Sequence, residues 1–130
     1  MALPGVPAKI LIVEDDPDSR RLLGTLLRRQ GFDCRVAPDG QAALDQVADE
    51  APDLILMDLM MPILDGVEAT RRLKADVRTR AIPVVALTGN ATPAGERDAR
   101  GAGVDAFLTK PVIFPKLLEQ LRTMLGGAGA

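Results

Sequence analysis

Two hydrophobic periodicities alternate along the chain. Lys9-Ile10-Leu11-Ile12-Val13, Leu54-Ile55-Leu56-Met57 and Val84-Val85-Ala86-Leu87 are apolar at nearly every position, the pattern of strands buried on both faces. Cys34-Arg35-Val36-Ala37 alternates apolar with polar, as an edge strand does, and Val104 to Leu108 is a fifth, shorter candidate. Between these runs the spacing becomes helical. From Pro17 to Gln30, Leu22, Leu23, Leu26 and Leu27 mark one face and four arginines the rest, until Gly31 stops the helix. Asp39 is placed to cap a second helix through Glu50. Asp65-Gly66 opens a third, through about Lys74, and Thr92-Pro93 opens a fourth with proline at the first helical position. Pro115 opens a fifth, with Leu117, Leu118, Leu121, Met124 and Leu125. The fourth helix has Gly95 and mostly alanine as its small apolar residues, so it is expected to be the least firmly held.

Five repeats of strand then helix predict an α/β fold: a doubly wound, five-stranded parallel sheet with right-handed crossovers and helices on both faces. Placing the most apolar strands centrally favours the order 2-1-3-4-5, with the second strand at an edge. One domain is expected over residues 8–125, with flexible ends at 1–7 and 126–130.

Composition narrows the chemistry. The chain has 130 residues, enough for one core. Its net charge is −2, from 16 basic and 18 acidic residues that are well mixed, so no basic tract points to nucleic acid. No apolar stretch can span a bilayer, and the start lacks the layout of a signal peptide. A single cysteine, Cys34, excludes an internal disulfide, and the whole suits a reduced cytoplasm. There is no histidine, which removes Ser-His and Cys-His catalysis and His-containing zinc sites. Any metal must therefore sit on oxygen ligands, which favours magnesium, calcium or manganese.

In a sheet of this kind the site lies beyond the carboxyl ends of the strands, near the switch point between the first and third. The residues expected there are Glu14-Asp15-Asp16 after the first strand, Asp58 after the third, Thr88 after the fourth and Lys110-Pro111 after the fifth. Carboxylates from adjacent strands would repel and raise one another's pKa values, a penalty that a hard divalent cation removes. A hydroxyl and an ammonium beside them complete a cradle for phosphoryl oxygens, and a carboxylate can itself accept a phosphoryl group. Taken singly, each piece has a plainer reading. The acidic triplet before Pro17 can cap a helix, Asp58 can be a turn residue, Lys110 a solvated lysine and Phe107 a core aromatic. Four strand ends delivering complementary groups to one rim is what favours the functional reading.

The chain resembles the receiver domains of two-component signalling, whose fold is flavodoxin-like. The strings that carry the resemblance are "ILIVEDDP", "DLILMDLMMPILDG", "IPVVALTGNA" and "AFLTKP", with 30 residues from Asp58 to Thr88 and 22 from Thr88 to Lys110. By its brevity it looks like the single-domain regulators of chemotaxis and of bacterial cell-cycle control. The resemblance implies that Asp58 is the phosphoacceptor and that Mg2+ is bound by Asp15, Asp58 and the backbone carbonyl of Met60, with Glu14 acting mainly through a water. It implies that Lys110 pairs with the acceptor and then with the phosphoryl group, that Thr88 hydrogen-bonds a phosphoryl oxygen, and that Phe107 is the rotamer-switching aromatic. A cis Lys110-Pro111 bond is implied too, and Met60 and Asn90 would tune the phosphoryl lifetime. The implied partners are a histidine kinase or histidine phosphotransfer protein as donor, and a downstream protein on the face made by the fourth helix, fifth strand and fifth helix, with no DNA or membrane binding. Two alternatives stand beside this: a receiver cut from a larger regulator or hybrid kinase, and a small phosphatase with an aspartyl nucleophile. Such phosphatases often need a second acid two residues after the nucleophile, where this chain has Met60.

Overall fold

The structure is a computed structural model that describes residues 6–61, 63–89 and 91–126. Five parallel strands, β1 (Lys9–Val13), β2 (Asp33–Ala37), β3 (Leu54–Asp58), β4 (Val84–Thr88) and β5 (Ala106–Thr109), form one sheet in the order β2-β1-β3-β4-β5. Five helices alternate with them: α1 (Pro17–Arg29), α2 (Gly40–Asp49), α3 (Gly66–Ala75), α4 (Pro93–Ala102) and α5 (Phe114–Met124). The expected topology and the edge position of the second strand are therefore observed. Most of the residues expected to form flexible ends, 1–5 and 127–130, lie outside the described residues.

The double-sided apolar runs explain the layering. Alternate residues of each central strand point to opposite faces. Leu11, Val13, Ile55, Met57, Val84 and Ala86 face Ala43, Val47, Ala69, Leu73 and Ala99 from α2, α3 and α4. Ile10, Ile12, Leu54, Leu56, Val85 and Leu87 face Leu23, Leu27, Leu117 and Leu121 from α1 and α5. Side-chain caps start four of the helices. Asp16, Asp39, Asp65 and Thr92 accept backbone N–H bonds from Ser19, Ala42, Glu68 and Gly95 at 3.0, 2.8, 2.9 and 2.9 Å. In α4 only Ala99 and Ala102 are buried, in keeping with its alanine- and glycine-rich composition.

Most boundaries fall within a residue of the expected ones, and the first and second helices end at Arg29 and Asp49 rather than Gln30 and Glu50; the starts of the fifth strand and the fifth helix differ for reasons visible in the structure. The fifth strand begins at Ala106 rather than Val104, because Val104 N–H closes the end of α4 by donating to Ala99 O at 3.2 Å. Asp105 is then drawn aside: its carboxylate accepts from Val84 N at 2.8 Å and from Lys74 Nζ at 2.9 Å. The fifth helix begins at Phe114, one residue before Pro115, with Ile113 at its N-cap and no side-chain cap bond. The Lys110-Pro111 bond is cis, as the resemblance implied.

Candidate functional site

The strand ends bring the expected groups to one rim. Glu14 follows β1, and its amide donates to Ala37 O at 3.0 Å, continuing the β1–β2 ladder. Asp58 is the last residue of β3 and is 3 % exposed. Met60 lies in the loop after it: its amide donates to Asp58 Oδ1 at 3.0 Å while its side chain points to solvent. Thr88 ends β4 and is buried, and its carbonyl accepts from Lys110 N at 2.8 Å, which sets the lysine just past β5. Lys110 Nζ reaches back across the sheet to Glu14 Oε2 at 2.9 Å and Asp58 Oδ2 at 3.3 Å.

The acidic triplet divides by role. Carboxylate oxygens of Glu14, Asp15 and Asp58 lie within 4.8 Å of one another, with Asp15 exposed and the other two buried. Asp16 turns away as the α1 cap, its Oδ2 accepting from both Ser19 N and Ser19 Oγ, the latter at 2.7 Å. Those bonds, the hydroxyl's first, hold its carboxyl below the usual aspartate range. Arg20, which the sequence reading did not single out, braces this loop: Nη1 donates to Glu14 O at 2.9 Å. Its position one turn into α1 is visible in the sequence, but nothing there signals the backward reach.

Burial pushes the Glu14 carboxyl up, and the nearby Asp58 charge adds to the rise, while the Lys110 hydrogen bond opposes it. For Lys110, burial favours the neutral amine, but the hydrogen bond it donates to Glu14 and the charge of Asp58 outweigh it and leave the ammonium more firmly protonated than usual. The cleft is thus short of positive charge: three carboxylates face one ammonium. An all-oxygen cluster of this kind fits a hard divalent cation. Phe107, in β5 opposite Ala86, is half-buried against the core. Together with Thr88 and Met60 it lines a cleft of about 860 Å³ between α3 and α4, and on its other side a smaller one of about 290 Å³ that reaches Ile113 and Lys116. Asn90 lies outside the described residues.

Residues 10–122 match the response regulator receiver domain. The polar-differentiation response regulator DivK of Brucella anthropi is 36% identical over 123 residues, covering 95% of this chain and 100% of that protein. Among solved structures, the receiver domain of sensor histidine kinase PA1611 from Pseudomonas aeruginosa, which has a magnesium ion coordinated in its active-site cleft, superposes with a TM-score of 0.87 at 33% identity, covering 94% of this chain and 100% of that one. The chemotaxis protein CheY4 of Vibrio cholerae superposes with a TM-score of 0.87 at 26% identity, covering 92% and 99%. Stand-alone regulators and a kinase-borne receiver are thus both similar to it. On the family match and the relatives, the chain belongs to the response regulator receiver domain family.

Proposed function

We propose that the chain is a switch whose Asp58 accepts a phosphoryl group, from a histidine kinase or a histidine phosphotransfer protein, in a Mg2+-dependent reaction. The observation that carries this reading is the setting of Asp58. It is a buried carboxylate at the end of the central strand β3, with a lysine on one oxygen, a backbone amide on the other and two further acids beside it. Asp15, Asp58 and the Met60 carbonyl would hold the cation directly, with Glu14 in support, and it would supply the positive charge that three carboxylates and an incoming phosphoryl group require. Lys110 binds and orients the phosphoryl oxygens, and Thr88 donates a hydrogen bond to one of them.

The readout follows from what phosphorylation adds, roughly −1.5 to −2 charge and strong acceptor oxygens. Thr88 moves toward the new group, Phe107 turns into the space beneath the β4–α4 loop, and the α4–β5–α5 face changes shape for a downstream protein partner. The light anchoring of α4, with two buried alanines, suits such a shift. The output is protein binding in the cytoplasm rather than contact with DNA. Incubation with acetyl phosphate and magnesium should add one phosphoryl group by intact mass, with loss of the product on chelation and in Asp58→Asn. Equal labelling of that variant would sink the assignment. For the relay, amide NMR with beryllofluoride should shift residues 89–103 and the surroundings of Phe107 in wild type. Thr88→Ala should keep only the shifts near Asp58, and identical shifts at Phe107 in both proteins would refute the relay.

A further inference from the structure

The sheet has an open edge at β2, which no strand flanks among the described residues. The backbone of β2 alternates in direction. Asp33 N donates to Ala8 O at 2.9 Å and Ala37 O accepts from Glu14 N at 3.0 Å, so Asp33, Arg35 and Ala37 bond inward to β1. Cys34 and Val36, between them, turn their N–H and C=O groups outward. Side chains occupy both outward carbonyls. Arg28 Nη2, from the last turn of α1, donates to Cys34 O at 3.0 Å, and Gln46 Nε2, from α2, donates to Val36 O at 2.8 Å. The local sequence makes room for Arg28. Gly24 lies one turn before it inside α1, where glycine is unfavourable, and a Cβ at Gly24 would lie 3.1 Å from Arg28 Nη1.

We propose that Arg28 and Gln46 close the β2 edge against strand addition by a second copy of this chain. An edge strand is a template for pairing because its outward amides and carbonyls lack strand partners. The stretch from Cys34 to Val36 is self-complementary about a two-fold axis centred on Arg35. Two antiparallel copies would exchange N–H···O bonds between Cys34 of one and Val36 of the other. That pairing needs the same carbonyls that Arg28 and Gln46 occupy, so the caps on both copies must break before it forms. It also sets Arg35 directly opposite Arg35 of the second copy, and facing like charges add to the barrier. Ties from a helix to a strand can end on any acceptor. Here the helices on either side of the edge supply one donor each, and both donors end on an outward carbonyl.

The test is sedimentation velocity over a concentration series on wild type, Arg28→Ala, Gln46→Ala and the double variant, with amide hydrogen exchange followed at Cys34 and Val36. Wild type should stay monomeric. Each cap counts twice in a symmetric dimer, so deleting one should tighten self-association about tenfold and deleting both about a hundredfold. The Cys34 and Val36 amides of the double variant should become protected as its concentration rises. Val36→Pro added to the double variant removes an outward N–H, which points away from β1, and should return the protein to the monomer. If Arg28 and Gln46 only tie α1 and α2 to the strand, the double variant melts lower but stays monomeric, with its edge amides exchanging as in wild type. That result overturns the proposal, and so does a dimer that survives Val36→Pro. The single variants, each with one cap intact, carry the same test if the double variant unfolds.

Discussion

Gly66 couples the stability of the fold to the placement of Asp58. It is the first residue of α3, and a Cβ built there would lie 2.3 Å from Asp58 O, 2.8 Å from Leu59 Cα and 3.0 Å from the Asp58 carbonyl carbon. All three atoms are backbone, so no rotamer change can relieve the clash; α3 or the end of β3 must move. Overpacking a rigid site costs about 1–3 kcal/mol, occasionally more, and three simultaneous backbone clashes put Gly66→Ala near the top of that range. The smaller backbone entropy of unfolded alanine returns about 0.4–1 kcal/mol, leaving a net loss of about 2 kcal/mol. Gly101 in α4 is the matched control, since a Cβ there meets nothing within 4 Å. Gly101→Ala should instead gain about 0.5–1 kcal/mol from helix propensity. Two identical chemical changes should therefore differ by roughly 3 kcal/mol. With no Trp or Tyr in the chain, urea unfolding is followed by far-UV circular dichroism. The shifted backbone of Asp58 should also slow phosphorylation in Gly66→Ala and not in Gly101→Ala. A Gly66→Ala protein as stable as wild type would contradict the close approach of α3 to β3.

Asp15 and Asp16 should separate cleanly: Asp15→Ala weakens magnesium binding with little change in metal-free melting temperature, whereas Asp16→Ala loses the α1 cap, melts lower and binds magnesium as wild type does. Because the Asp16 carboxyl is held low, its cap contribution is present above the ordinary aspartate pKa and is lost as pH falls through the lowered one; Asp16→Ala should therefore flatten the acid limb of the melting curve. Ile63 is a β-branched residue at φ 70° that is 84% exposed, so it carries backbone strain with almost no burial in return. Ile63→Asn should raise stability by about 1 kcal/mol, and a lower urea midpoint would contradict that.

The legible parts of the chain were those where the local pattern and the fold agree. Continuous apolar runs announced β1, β3 and β4 because parallel strands buried on both faces leave no polar alternation, and Asp39, Asp65 and Thr92 announced helix starts because a cap is a local event. The four strand-end groups were legible because topology alone brings them together. What was hidden depends on contacts distant in sequence. Val104 and Asp105 look like strand residues, yet the end of α4 takes one and Lys74 the other. Lys74 itself, which donates to Arg80 O, Ile82 O and Asp105 across three segments, has no local signature. The division of Glu14-Asp15-Asp16 into lysine partner, exposed acid and helix cap turns on side-chain direction, which spacing does not encode. The left-handed Ile63 was equally invisible, since a β-branched residue is the last that local preference would put there.

Asp58, and not a neighbouring acid, is expected to carry the phosphoryl group. The most direct measurement treats the acetyl-phosphate-labelled protein with borohydride, which reduces an acyl phosphate to an alcohol, and maps the modified residue by tandem mass spectrometry. Reduction is expected at residue 58, with Glu14, Asp15 and Asp16 unmodified and no signal once magnesium is chelated; a modified Asp15 or Glu14 beside an intact Asp58 would show that another acid is the acceptor.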